Sequence, residues 1–128
     1  MRDGPASEQP LIANVEPASF RMHVDPEELA RDPRFRPLRP GVGILVLYGD
    51  PSRGACSAFL RYEPGASVPS HRHGGLEQIL VLAGEQADER GSYGAGSLVV
   101  NAAGTVHSVH SRSGCLVWIT WQDAVAFV

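Results

Sequence analysis

Pro69–Gly84 reads PSHRHGGLEQILVLAG, with two histidines one residue apart, a pair of glycines, and a glutamate opening an apolar run. Side chains alternate across a strand, so His71 and His73 leave one face and Arg72 the other. Two imidazoles therefore converge on one point. Gly74 and Gly75 permit a tight reversal, and Glu77 at the start of the next strand shares a face with Ile79 and Val81, the expected interior set. An ionised carboxylate buried alone on that face is costly, so it calls for a cation. A divalent metal held by His71, His73 and Glu77 meets that need. Imidazole nitrogen and carboxylate oxygen suit Zn, Fe, Mn, Ni or Cu, and no thiolate stands in the cluster.

A third imidazole is expected from another strand, and NAAGTVHSVHS, Asn101–Ser111, offers two. His107 and His110 are three residues apart and face opposite ways on a strand, so only one reaches the interior with Val109 and Ser111. His107 is the choice, with His110 left exposed or at an interface. His23, near the N-terminus, has the structural reading of an isolated histidine.

The surroundings of this stretch set the fold. From Gly41 onward, short apolar runs alternate with Gly-rich turns: VGILVLYG, ACSAFLRY, EQILVLAG, QADER before GSYGAG, SLVVN, VHSVHS and CLVWITWQ. Their spacing and their Val, Ile, Leu and aromatic content predict an all-β sandwich or barrel. Runs such as ILVL are apolar at every position, which implies strands covered on both faces, by the interior on one side and by another sheet, the N-terminal arm or a second subunit on the other. Before Gly41, the first seventeen residues read as a loose arm in which Leu11 to Val15 could add a short edge strand. Asp25, Pro26 and Glu28 form an N-cap signature for one short helix over DPEELAR. The prolines of RDPRFRPLRPG predict an irregular loop over the sheet, its arginines 31, 34, 36 and 39 a solvated connection. Residues 1–40 are thus an arm, helix and loop packing on a barrel formed by residues 41–128.

Bulk properties bound the function. The 128 residues, 43% of them hydrophobic, suffice for one domain with a real core, and a formal net charge of -3 gives no field for nucleic acid or an anionic membrane. Cys56 and Cys115 lie in apolar runs and read as buried thiols, which points to a reduced compartment. No run has the length of a signal peptide core or a membrane span, so the expected location is the cytoplasm.

The residues also carry a family resemblance. Gly65, five residues, His71, His73, Glu77, six residues and Gly84 resemble the first cupin motif at every fixed position. Gly96, five residues, Ala102, Gly104 and His107 resemble the second, with Ala102 where proline is usual and Ser111 where asparagine is usual. From Gly41 to Trp121 the chain is similar to the ChrR-like cupins. That resemblance implies a double-stranded β-helix, the cupin or jelly-roll barrel, a ligand set of three His and one Glu, and a homodimer.

The subgroup includes zinc-containing domains of anti-sigma factors, while similar stand-alone cupins include non-haem iron dioxygenases acting on diketones. Anti-sigma proteins of that type add a helical domain with its own His/Cys zinc site. The first forty residues hold no cysteine and little helix, so a sigma factor is discounted as a partner. The expected function is a metal-dependent oxygenase acting on a diketone or related small carbonyl compound. The alternative is a non-catalytic zinc-binding cupin that senses or binds a ligand. Either needs one divalent ion per chain, Fe(II) or Zn(II) foremost, with Mn and Ni also compatible. By strand alternation Tyr62, Gln86, Ser111 and Trp118 are candidates to line a substrate cavity, although core packing competes for the Trp and Tyr. Asp88 and Glu89 read as a solvated hairpin end.

Overall fold

The computed structural model describes residues 14–128. Among the described residues, one short helix, α1 (Pro26–Ala30), precedes ten strands: β1 (Arg36–Arg39), β2 (Val42–Gly49), β3 (Cys56–Tyr62), β4 (Ser67–Arg72), β5 (Glu77–Asp88), β6 (Gly91–Gly94), β7 (Leu98–Asn101), β8 (Val106–His110), β9 (Cys115–Trp121) and β10 (Ala126–Phe127). Every pairing is antiparallel. One layer runs β1-β2-β3-β9-β5-β7; the other joins β6, the end of β5, β8, β4 and β10. The two curl over one another as the expected cupin barrel.

β5 links the layers. Its first half, from Glu77 to Gly84, pairs with β9, and Glu85–Asp88 pair with β6. EQILVLAG and QADER, read in the sequence as two strands, are therefore one. The corner falls at Gly84, whose φ is +75°, and a Cβ there would stand 2.1 Å from the carbonyl oxygen of Gly114. Only glycine meets both demands.

Between the layers lie Ile44, Ala58, Ile79, Val81 and Val117, with Val109 from the second layer. Strands β2, β3 and β9 are buried on the other face as well, where Leu45, Phe59 and Leu116 pack with Leu29 and Phe35. Of the covers the sequence left open, the N-terminal segment supplies this one. α1 is far below the roughly 12–15 residues that hold as a helix alone in water. It forms because Asp25 accepts from the backbone N–H of Glu27 (3.0 Å) and Glu28 (3.4 Å), and because Leu29 is buried. The Arg61 guanidinium closes its far end, donating to Ala30 O at 2.8 Å while lying over the Phe35 ring.

RDPRFRPLRPG departs from the expected irregular loop, because Arg36–Arg39 pairs with β2 as an edge strand. An edge strand tolerates a proline whose missing N–H faces away from the ladder, and a register shift lies between Pro37 and Arg39. Of the proposed strand at Leu11 to Val15, residues 11–13 lie outside the described part. Val15 makes a single bridge to Gly49. No helix among the described residues is long and apolar enough to cross a membrane.

Candidate metal centre

β4 and β8 place two of the histidines directly opposite one another, in the pair His71↔His107. His73 follows β4 on the same face and is fixed by backbone bonds from its own N–H to Thr105 O (2.9 Å) and from Gly104 N–H to His73 O (2.8 Å). Ligand atoms of the three imidazoles lie within 4.8 Å of one another. Each residue is almost wholly buried, at 4%, 2% and 3% exposure for His71, His73 and His107. Glu77 arrives from the other layer at the start of β5, its Oε1 3.0 Å from His73 Nε2.

The hydrogen bonds decide which nitrogen faces the centre. Nδ1 of His71 lies 2.8 Å from Pro69 O, and Nδ1 of His73 lies 3.0 Å from Thr105 O. A carbonyl only accepts, so both Nδ1 atoms carry the proton. Nδ1 of His107 meets the Asp88 carboxylate at 3.1 Å. All three Nε2 atoms are then left with a lone pair, and those of His73 and His107 are buried without a hydrogen-bond partner among the described residues. The approach of Glu77 to His73 Nε2 is close but not aligned as a hydrogen bond. Buried polar atoms without partners are rare, and a cation placed among these would satisfy them together.

Electrostatics sort the groups. Burial pushes the His71 imidazole below its usual value and keeps it neutral. For His73 burial acts the same way, but the Glu77 carboxylate beside it outweighs that and raises it. Burial would raise Asp88, yet bonds from the Arg90 N–H, His107 and Tyr93 hold its carboxyl below the usual range. An ionised Asp88 fixes the His107 tautomer.

Asp88 and Asn101 are residues that sequence reasoning missed. Asp88, read as solvated, has a side chain only 5% exposed and bound to His107 and to the Tyr93 hydroxyl. The physical cause is a register shift between Val81 and Ala83, which reverses the inward parity of β5 from Glu77, Ile79 and Val81 to Gln86 and Asp88. Glu89 does hold to the surface, on the Ser108 N–H. Asn101, opposite Glu77 on β7, donates its side-chain N–H to Glu77 Oε1 at 3.0 Å. Gly74 and Gly75 serve differently from the reading above. Neither has positive φ, and a Cβ on Gly74 would lie 2.4 Å from Ala124 O. They let the C-terminal segment pass close to the site rather than reverse the chain.

A cavity of about 370 Å³ opens from His71, His107 and Glu77 outward, and Tyr62 and Gln86 lie on its wall. So does Trp121, whose indole Nε1 is also buried without a partner among the described residues. Ser111 and Trp118 are elsewhere. Ser111 is fully buried and donates its hydroxyl to Glu85 O. Trp118 points away from the interior because Val117 and Ile119 on either side of it point in; it packs against the outer cluster and donates to Ser57 Oγ at 3.2 Å. His110 is exposed, on the face opposite His107.

The profile of the ChrR Cupin-like domain matches residues 22–124. The anti-sigma-E factor ChrR of Cereibacter sphaeroides is 41% identical over 70 residues, which are 54% of this chain and 32% of that protein. The chain thus spans about a third of that relative's length. ChrR of Rhodobacter sphaeroides, solved in complex with SigE, superposes with a TM-score of 0.63 and 30% identity, over 72% of this chain and 50% of the other. An acetylacetone dioxygenase from Acinetobacter johnsonii gives a TM-score of 0.71 over 94% of this chain and 85% of its own, at 16% identity, a likeness of fold alone.

These findings correct the discounting of a sigma factor as partner. The first forty residues alone do not decide the partner, because the family likeness spans residues 22–124 and ChrR, an anti-sigma factor, has been solved in complex with the sigma factor SigE. The match over residues 22–124 means that the chain belongs to the family of ChrR cupin-like domains.

Proposed function

We propose that His71, His73, His107 and Glu77 hold one divalent metal ion, Fe(II) or Zn(II) foremost and Mn or Ni also compatible, and that the barrel acts on a small carbonyl compound chelating that ion. Oxygenase chemistry on a diketone or related substrate is the leading reading. One observation carries it: two Nε2 atoms buried without partners, in imidazoles whose Nδ1 atoms are all engaged, beside a cavity of small-molecule size. A bound divalent ion supplies Lewis-acid polarisation of a carbonyl oxygen. The residues of the chain do the rest. Asp88, Thr105 and Pro69 hold the imidazoles in the Nε2-accepting tautomer. Asn101 steadies Glu77. Burial pushes the Tyr62 phenol far above its usual value, so it stays a neutral hydroxyl on the cavity wall, and with Gln86 and the Trp121 N–H it is available to a substrate oxygen.

The likeness to ChrR favours a second reading, a non-catalytic zinc-binding module within a regulatory protein that meets a sigma factor. The ligand types suit both.

Metal analysis of protein purified without chelator tests the shared part. One ion per chain is expected, with most of it lost in His107→Ala and retained in His110→Ala, whose side chain leaves the other face. Full occupancy in His71→Ala, His73→Ala and His107→Ala alike would remove the site. Oxygen uptake by the Fe(II)-loaded protein with acetylacetone separates the readings. Uptake supports the oxygenase. No uptake, together with a Co(II) spectrum unchanged by saturating acetylacetone, supports the closed zinc module.

A further inference from the structure

The cavity wall is mostly apolar, and among the described residues Arg39 is the one permanently cationic side chain on it. The other arginines of its neighbourhood have different surroundings. Arg34 pairs with Asp32 at 2.8 Å, Arg61 donates to Ala30 O, and Arg36 is exposed. Arg39 is half-buried, and among the described residues no carboxylate forms a salt bridge with it and no side-chain hydrogen bond uses it. Its guanidinium instead lies over the ring of Phe127, 5.1 Å from the centroid. A face-on aromatic contact leaves the in-plane N–H fork unmatched, and that fork fits a carboxylate. Glu77 lines the same cavity, beside the histidines.

We infer that the ligand of this cavity is a carbonyl compound that also bears a carboxylate, and that Arg39 binds this carboxylate while the carbonyl end lies toward the histidines. This rests on the reading of the cavity as a site for a metal-chelating carbonyl compound, and it adds the charge and the anchor. β10 presents Phe127 beside His71, the ring centroids 6.0 Å apart, so one aromatic side chain neighbours both the guanidinium and an imidazole.

Succinylacetone, a β-diketone ending in a carboxylate, and its methyl ester differ in that charge and one methyl group. Their affinities are measured by calorimetry on the whole chain, metal-free and zinc-loaded. In both forms the acid is expected to bind at least about tenfold more tightly than the ester, the effect of a charge-assisted pair. Arg39→Gln brings the acid down to the ester and leaves the ester where it was, which also shows the variant folded. Arg36→Gln keeps the full preference. Arg39→Lys retains the charge without the fork and keeps only part of it. Equal binding of acid and ester by the wild type, a full preference in Arg39→Gln or Arg39→Lys, or no binding of either compound overturns the inference. Metal-dependent tightening of both compounds, lost in His107→Ala, reads the metal separately. An Arg39-dependent preference without that tightening leaves the carboxylate site standing and removes the metal-chelation reading.

Discussion

Glu77 acts on His73 in two opposed ways. As a candidate ligand it adds negative charge for a cation; in its absence the same carboxylate, 3.0 Å away, favours a proton on the imidazole and raises its pKa above 6.5. In the metal-free protein the stabilising effect of protonated His73 is present below 6.5 and lost as pH rises through the raised value. Metal binding has the opposite sign, since it needs the neutral imidazole. Apparent affinity is therefore expected to begin falling above 6.5 as pH drops. His71, lowered by burial, stays neutral further into acid and is not the first to compete. Glu77→Gln is expected to weaken metal binding at about pH 8, roughly tenfold for the loss of a ligand charge, while moving the onset of acid loss downward. Chelator-competition titrations across the neutral range check both halves. An unchanged onset in the variant would mean that Glu77 does not control His73. At this scale the sequence was most legible: HxH followed by Glu is read directly from strand alternation, and His107 is separated from His110 by parity alone. Asp88 was not legible, because its inward parity depends on an irregularity that no residue type announces.

The irregularity belongs to β5 as an element. A strand of twelve residues leaves one layer for the other, and the register shift between Val81 and Ala83 together with the corner at Gly84 re-aims every later side chain. This delivers Asp88 to His107 and Gln86 to the cavity. Gly84→Ala confronts both a φ of +75° and a carbonyl oxygen 2.1 Å from the new Cβ, so the Gly114 backbone must move. Gly65→Ala is the control: its φ is +87°, but nothing lies within 4 Å of the new atom. The control is expected to cost about 1–2 kcal/mol, the left-handed penalty alone, and Gly84→Ala about 3 kcal/mol or more, by denaturant unfolding. Equal losses would mean that the corner is soft. The short apolar runs made the strands visible in the sequence, whereas the joining of two runs into β5 and the pairing of a proline-bearing segment as β1 were not. Both depend on which neighbour the chain meets in space, an edge in one case and a second sheet in the other.

Across the whole molecule, the candidate ligands come from both layers: His71, His73 and His107 from the β4–β8 side and Glu77 from the layer of β9. An ion held by all four would fasten the two sheets to each other. The barrel was predictable because alternation, turn spacing and the two glycine-framed histidine motifs agree on one architecture; the cavity wall was not, since it is assembled from five or more strands and the C-terminal segment. The fastening has a thermodynamic consequence. A ligand that binds only the folded chain stabilises it by RT ln(1 + [L]/Kd), about 2.7 kcal/mol when free metal is a hundred times Kd. For a domain of this size that is on the order of 10 °C in the unfolding midpoint. Removing metal with a chelator is expected to lower the midpoint of the wild type by that order, and adding Zn(II) back to restore it. His107→Ala should start near the chelated wild type and respond to neither treatment. His110→Ala, with its side chain on the outer face, should behave as the wild type does. A midpoint in the wild type that ignores both chelator and added Zn(II) would mean that no ion bridges the sheets, and the buried Nε2 atoms would then need another partner.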